Sequence, residues 1–392
     1  MNKKCIKDVD ISNKKVLIRV DFNVPFDEKG DISDDIRIRS ALPTIRYAVE
    51  KGAMVILMSH MGRPKGKVIE SLRLDPVGKR LEELIQIPVK KLNDCIGPEV
   101  KSEVDKMNPG DIILLENLRF YKEETENNPE FAEKLSMNGE FFVNDAFGAC
   151  HRAHASTEGV TRYLESVSGF LVEKEIEYFE KINLSPDRPF VLVLGGAKVS
   201  DKLPLIENML TKVNSIIIGG AMAYTFLRVK GYEIGTSKYE EEVSEIAKAV
   251  MEKAGDVELL FPVDHVVCDD INNPSEIYTT EGINIKEGYA GVDIGPKSIE
   301  FFLDKLKTAK TIVWNGPMGM FENDSFAEGT KKLALGIADS PAVSIVGGGD
   351  SAAAAKKFGI ENRLSHVSTG GGASLEYLEG KILPGIAALK DR

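Results

Sequence analysis

In the amino-terminal half of the chain, arginine and histidine recur where apolar runs end. Asp21-Phe22-Asn23-Val24-Pro25 follows the first run, and Arg37 and Arg39 open the helical stretch beyond it. Ser59-His60-Met61-Gly62-Arg63-Pro64 and Glu116-Asn117-Leu118-Arg119 follow later runs. Asn144-Asp145-Ala146-Phe147-Gly148 follows another and leads into His151-Arg152-Ala153-His154. A guanidinium binds phosphate or carboxylate through two parallel hydrogen bonds. One arginine beside a strand is an ordinary solvated residue. Arg37, Arg63, Arg119 and Arg152 at successive run ends predict a pocket for a small, multiply anionic substrate. His60, His151 and His154 either add donors or are satisfied structural histidines, and the crowding arginines would repel a metal.

The carboxyl-terminal half offers glycine instead. Gly195-Gly196-Ala197-Lys198-Val199-Ser200-Asp201-Lys202 follows the run 190–194. It precedes a helical pattern over 201–213, with Pro204 in the first turn. Glycines let the backbone approach a ligand closely, and a helix start presents free N–H groups and the positive end of its dipole. Lys198 and Lys202 share a face if that helix starts early enough, which would suit a phosphate chain. Taken alone, the motif fits equally well a tight strand-to-helix turn with two surface lysines. Glycines also end later runs, in Gly219-Gly220, Gly316-Pro317-Met318-Gly319, Gly347-Gly348-Gly349-Asp350 and Gly370-Gly371-Gly372. Turns explain one such run more easily than a whole series. Asp350 is a candidate Mg²⁺ ligand, since Mg²⁺ takes carboxylates together with phosphate oxygens.

Elements of an α/β fold would position these groups. The runs 16–20, 54–58, 112–115, 141–143, 190–194, 216–218, 259–261, 312–314 and 343–346 are mostly unbroken apolar, as expected of parallel strands covered on both faces. Helical patterns such as 42–50 and 76–85 alternate with them. In such sheets ligands bind beyond the carboxyl ends of the strands, where the arginines and glycines fall. A length of 392 residues predicts two domains. The helical stretch 171–184, followed by Ser185-Pro186-Asp187-Arg188-Pro189, is the candidate linker, and 380–392 a small closing helix. Residues 43% hydrophobic and 28% charged describe a soluble protein, and no run is long enough to span a bilayer. Four cysteines without metal spacing read as reduced thiols of a cytoplasmic protein. Cys150, beside His151, is read as buried or incidental rather than as a nucleophile. A net charge of −11 argues against nucleic-acid or anionic-membrane partners.

Together the motifs resemble phosphoglycerate kinase over nearly the whole chain. The resemblance rests on Arg19-Val20-Asp21-Phe22-Asn23-Val24-Pro25, Arg37 with Ala41-Leu42-Pro43-Thr44-Ile45, the segments 59–64, 116–120, 144–148, 151–154 and 195–202, Trp314 to Gly319, Phe321-Glu322, 347–350 and 368–374. It implies two Rossmann-like domains, each a mostly parallel sheet with helices on both faces, joined by a hinge helix. By that resemblance 1–170, closed by 373–392, would bind phosphoglycerate, 171–189 would link, and 190–372 would bind nucleotide. Asp21, Asn23, Arg37, His60, Arg63, Arg119 and Arg152 would hold 3-phosphoglycerate or 1,3-bisphosphoglycerate. Gly195, Lys198, Lys202, Gly291, Asn315, Glu322, Gly348, Gly349, Asp350 and Ser351 would hold ADP or ATP, with Asp350 meeting Mg²⁺. The family is usually monomeric. Cys150 stands where Ala is usual, which predicts greater sensitivity to thiol reagents, and Ala290 stands where Met is commoner.

The implied reaction is reversible phosphoryl transfer in glycolysis and gluconeogenesis. It needs alignment and charge stabilisation rather than a side-chain nucleophile or base. Arg37, Lys198 and the helix start at Gly371 and Gly372 are the predicted stabilisers of the transferring group, with the domains closing about the linker. Other readings lack their motifs. There is no Gly-x-Gly-x-x-Gly after the first strand, no Walker A sequence and no His-Arg-Asp loop. A non-catalytic descendant would be expected to lose Arg37, Lys198 or Asp350, and all are present.

Overall fold

The structure, a computed structural model, describes residues 2–392. The chain divides into two compact units: residues up to Glu177 together with Ile382–Arg392, and Tyr178–Lys381. The helix Phe170–Leu184 contains the first division.

In the first unit the apolar runs become β1 (Lys15–Val20), β2 (Met54–Met58), β4 (Ile112–Leu114) and β5 (Phe141–Asp145). With the shorter β3 (Val89–Lys91) and β6 (Glu165–Ser168) they form a six-stranded sheet of order β3-β4-β2-β1-β5-β6, parallel throughout. β1 is buried from Val16 to Val20, because helices cover both faces of its sheet. Val16, Ile18, Val55, Leu57, Ile38, Ile45, Val77 and Leu81 share one core. The last residues of the chain also belong here. Lys4 N–H donates to Lys390 O (2.8 Å), Arg392 N–H to Asn2 O (2.7 Å), and Gly385 N–H to Cys150 O (2.9 Å).

The second unit contains β7 (Phe190–Leu194), β8 (Ser215–Ile218), β9 (Glu258–Leu260), β13 (Thr311–Asn315), β14 (Val343–Val346) and β15 (His366–Val367). They form a parallel sheet of order β15-β14-β13-β7-β8-β9. A separate antiparallel sheet, β11-β10-β12, comprises β10 (His265–Cys268), β11 (Ile277–Thr279) and β12 (Ala290–Ile294). The sequence reading did not include this sheet. Its strands are short, and β11 is largely solvated, so no apolar run announces it. β3, β6 and β15 escaped for the same reason.

Two side chains secure the start of the helix Phe170–Leu184. Thr44 Oγ1 accepts from Phe170 N–H (2.9 Å), and Asp145 Oδ1 accepts from Leu171 N–H (2.9 Å) and Val172 N–H (3.4 Å). A Cβ on Gly169 would collide with the Asp145 carboxylate, which leaves glycine as the residue that fits. Burial pushes the Asp145 carboxyl up to about 7, against the pull of Thr44 and these amides. A carboxyl raised by folding keeps its proton in the native state at pH values where the unfolded chain has lost it. Its contribution to stability therefore falls as pH rises from about 4, its unfolded value, to about 7. Thermal denaturation of Asp145→Asn beside the parent should show the difference moving in the variant's favour between pH 5 and pH 8. A constant difference would show that Asp145 does not titrate in this window.

Candidate active site

Beyond the carboxyl ends of β1, β2 and β5 lies a cavity of about 220 Å³, lined by Asp21, Asn23, Arg37, His60, Gly62, Arg63, Arg119, Gly148, Ala149, His151, Arg152 and His154. Every residue predicted to bind phosphoglycerate lines it. Arg37 sits in the first turn of the helix Ile36–Glu50, and its Nη1 donates to Asp21 Oδ2 (2.6 Å). Burial pushes the Asp21 carboxyl up, but the positive groups around it, Arg37 and Arg19 among them, hold it below its ordinary value. Asn23 Oδ1 accepts from Gly62 N–H (2.8 Å), and Gly62 O accepts from Arg119 Nη1 (2.8 Å). Asn117 joins the loops after β2 and β4. Its Oδ1 accepts from Met61 N–H (3.0 Å) and Arg119 N–H (3.1 Å), while its Nδ2 donates to Met61 O (2.8 Å).

The pocket carries unspent positive charge. Arg119 Nε is buried without a hydrogen-bond partner. Burial, with help from Arg19 and Arg152, lowers the Arg119 guanidinium to about 10. Arg63 and Arg152 are exposed, and Arg152 Nε donates to His151 Nε2 (3.0 Å). Burial and the neighbouring arginines lower His154 to about 3, so it is neutral at physiological pH. A cavity with an orphaned guanidinium donor and exposed arginines at its mouth suits an anion with several oxygens.

Beneath the pocket lies a residue that the sequence reading left inside its motif without a role. Arg19, on β1, is fully buried. Its Nε donates to Ser156 Oγ (2.8 Å), its Nη1 to Val20 O, and its Nη2 lies 3.0 Å from His60 Nδ1. The fully buried Glu124 accepts from Ser156 Oγ (2.6 Å) and Ser156 N–H (3.0 Å). The available signal was a charged residue within an otherwise apolar strand, since Lys, Glu, Arg and Asp are rarely buried unless paired.

In the second unit the predicted nucleotide residues fall into a linked group and outliers. Asn315, at the end of β13, accepts from Lys202 Nζ through Oδ1 and donates to Gly347 O through Nδ2 (2.8 Å). Its backbone carbonyl accepts from Gly195 N–H (3.0 Å). Ser351 Oγ accepts from Gly316 N–H (2.6 Å). Gly348 caps the helix Gly349–Lys357 at φ +98°, where a Cβ would press on Asn315 Nδ2. A Cβ on Gly371 would lie 3.7 Å from Gly349 N, so the starts of the helices Gly349–Lys357 and Gly371–Leu378 adjoin, with Gly372 in the first turn of the latter. Asp350 is exposed there, and its charge acts on Lys202. Burial lowers the Lys202 ammonium, with Asp201 and Asp350 opposing. Gly291, on β12, donates its N–H to Ser237 Oγ (2.9 Å), and Glu322 is exposed, with its carbonyl accepting from Lys357 Nζ (3.3 Å). Among the described residues, neither joins the hydrogen bonds around Asn315.

A family model described as phosphoglycerate kinase matches residues 6–381. The chain belongs to the phosphoglycerate kinase family. It is 55% identical over 390 residues to a phosphoglycerate kinase of Dictyoglomus turgidum, covering 99% of this chain and 98% of that one. It is 52% identical to that of Borrelia hermsii, covering 100% of both chains. A solved phosphoglycerate kinase from Coxiella burnetii superposes with a TM-score of 0.88 at 41% identity, covering 98% of each chain. The family's activity is glycolytic phosphoryl transfer, and the chain is a transferase of this kind.

Two expectations need correction. The helix after the glycine turn of this family member is Leu203–Met209, starting later than Asp201 and ending before Val213. Residues 198–202 form a turn that Glu240 holds by accepting from Ser200 N–H (3.1 Å) and Ser200 Oγ (2.7 Å). Lys198 therefore lies off the helix on an exposed loop, and Lys202 is its N-cap, so the two lysines share no helical face. Cys150 is fully buried, with its thiol donating to Ala146 O (3.4 Å). Burial pushes that thiol up to about 12, so neither access nor thiolate favours the predicted sensitivity. The other cysteines are free and buried as well. A chromogenic disulfide reagent at pH 8 should find almost no reactive thiol in the folded chain and all four after unfolding in guanidinium. Rapid reaction of one native thiol, lost in Cys150→Ala, would restore the original expectation.

Proposed function

We propose that the amino-terminal pocket binds 3-phosphoglycerate or 1,3-bisphosphoglycerate, and that the glycine-rich edge of the second unit binds MgADP or MgATP. The observation that carries this is the gathering of Arg37, Arg63, Arg119 and Arg152 around one small cavity with Asp21, Asn23 and His60. Arg63, Arg119 and Arg152 grip the phosphate and carboxylate oxygens. Asp21 accepts from a substrate hydroxyl, and Asn23 orients the same end of the molecule. On the nucleotide side Lys202, Asn315 and the amides of Gly348, Gly349 and Ser351 hold the phosphate chain, with Gly195 allowing close approach. Gly291 and Glu322 border the nucleoside.

The group passes between a substrate carboxylate and a nucleotide phosphate, so neither attacking oxygen must lose a proton. His60, His151 and His154 accordingly bind or support rather than act as acid or base. Charge on the equatorial oxygens is stabilised by Arg37, Lys198 and the amides at Gly371 and Gly372. Among the described residues no group of three or more His, Cys, Asp or Glu could hold a metal ion. A lone exposed carboxylate fits a cation that arrives with its nucleotide, so Asp350 would complete the shell of Mg²⁺. When bound, that ion neutralises phosphate charge. The segment 171–189 serves as a hinge, because substrates held on different domains must meet with water excluded. The chain works as a cytoplasmic monomer without nucleic-acid or membrane partners. Among the described residues no helix is long and apolar enough to cross a membrane.

In an assay coupled to 3-phosphoglycerate and MgATP, Arg37→Ala should lower kcat by roughly 10³-fold with little change in nucleotide KM, a scale set by arginine contacts to transferring phosphoryl groups. Lys202→Ala should raise nucleotide KM about tenfold, the loss of one charge-assisted hydrogen bond, and leave phosphoglycerate KM nearly intact. Equal effects of Lys202→Ala on both substrates would refute the division between the units. Small-angle scattering should record compaction when both substrates are added together. An unchanged profile would remove hinge closure from the mechanism.

A further inference from the structure

The phosphoglycerate pocket rests on a buried guanidinium whose contacts specify more than charge. Arg19 Nη2 stands 3.0 Å from His60 Nδ1. A guanidinium has donors only, so Nδ1 must accept. A neutral imidazole then carries its single proton on Nε2. Asp21 Oδ1 lies 3.9 Å from the same Nδ1, beyond hydrogen-bond distance. Were that carboxylate to take Nδ1, the proton would move there and Nε2 would become a bare lone pair. Arg19 and Asp21 thus favour opposite tautomers, and the distances favour Arg19.

We infer that Arg19 is a positioning residue of the pocket: by donating to Nδ1 it fixes His60 in the tautomer whose Nε2–H can donate to an anionic substrate. This rests on the reading that His60 faces phosphoglycerate. A bare Nε2 would instead set a lone pair against substrate oxygens. Arg19 is itself fixed by Ser156 and the Val20 carbonyl. Glu124, which accepts from Ser156, supplies the buried counter-charge. The network runs Glu124, Ser156, Arg19, His60, and each of the three Arg19 nitrogens has a partner. The ring also stays neutral. Burial disfavours the imidazolium, and Arg19, Arg119 and Arg37 add to that against Asp21.

The test is the proton position in the full chain. Long-range proton–nitrogen NMR of histidine-labelled protein at neutral pH, with the His60 signals assigned by their loss in His60→Gln, should show Nε2 protonated and Nδ1 bare. Proton on Nδ1, or a charged ring, would overturn the inference. No phosphoglycerate is needed for this measurement, so its outcome is separate from whether the wild-type pocket binds that ligand. Arg19→Lys keeps the charge, but one ammonium cannot span Ser156, Val20 and His60 together. It should give a mixed tautomer and raise the KM for 3-phosphoglycerate about tenfold while the ATP KM stays unchanged, the scale of one charge-assisted hydrogen bond. A folded Arg19→Lys protein with the parental tautomer and KM would also overturn it. If that variant does not fold, the wild-type spectrum still decides.

Discussion

The charge that most constrains the first unit, that of Arg19, has no exposure to solvent. Moving an unpaired ion into the protein interior costs several kcal/mol even after relaxation, so a guanidinium inside a parallel sheet must be fully bonded. Arg19 meets that requirement through Ser156, the Val20 carbonyl and His60, with Glu124 close by as counter-ion. These partners come from separate stretches of the chain. The loop after β2, the short helix Lys122–Thr125 that carries Glu124, and the segment after β5 are held in one arrangement around one cation. The surrounding arginines are then free to remain incompletely paired, as a site awaiting an anion requires.

The second unit brings its strand ends together by close backbone approach instead. Gly195, Gly220 and Gly316 bring backbones so close that a side chain on any of them would strike a neighbouring carbonyl or amide. That proximity lets the ends of β7, β13 and β14 lie together around Asn315. One unit thus gathers long charged side chains beyond the strand ends of its sheet, and the other brings main-chain amides together there. The first depends on ion pairing to keep its geometry, and the second on the absence of Cβ atoms.

The sheets were legible because parallel strands buried on both faces leave unbroken apolar runs, and every such run in the sequence became a strand. The cavity was legible because most of the residues that line it follow those runs closely. What the sequence concealed has equally physical causes. The antiparallel β10–β12 sheet has short strands in which polar residues and glycine interrupt the apolar ones, and its β11 is largely solvated, so it has no apolar signature. The helix after Gly195 is delayed because Ser200 bonds to Glu240, a residue forty positions later that no local pattern connects to it. Arg19 looked like one letter of a motif, since burial and partner geometry are properties of the folded state. Cys150 is buried, as its sequence reading has it, and only the expected sensitivity to thiol reagents fails, because in space it is enclosed beside Asn144 and Gly385.

The closing segment Ile382–Arg392 belongs to the unit that begins the chain, with Lys390 and Arg392 bonded to Lys4 and Asn2. In sequence these residues come only after the whole of the second unit, Tyr178–Lys381. The amino-terminal unit therefore emerges without part of its own wall, while the intervening unit can be completed earlier. Because residues 2–4 and 390–392 are bonded to each other on one unit, linking these two segments and opening the chain elsewhere would convert that late step into an early one. The order in which the halves mature thus follows from the order of their segments along the chain, separable from the final architecture.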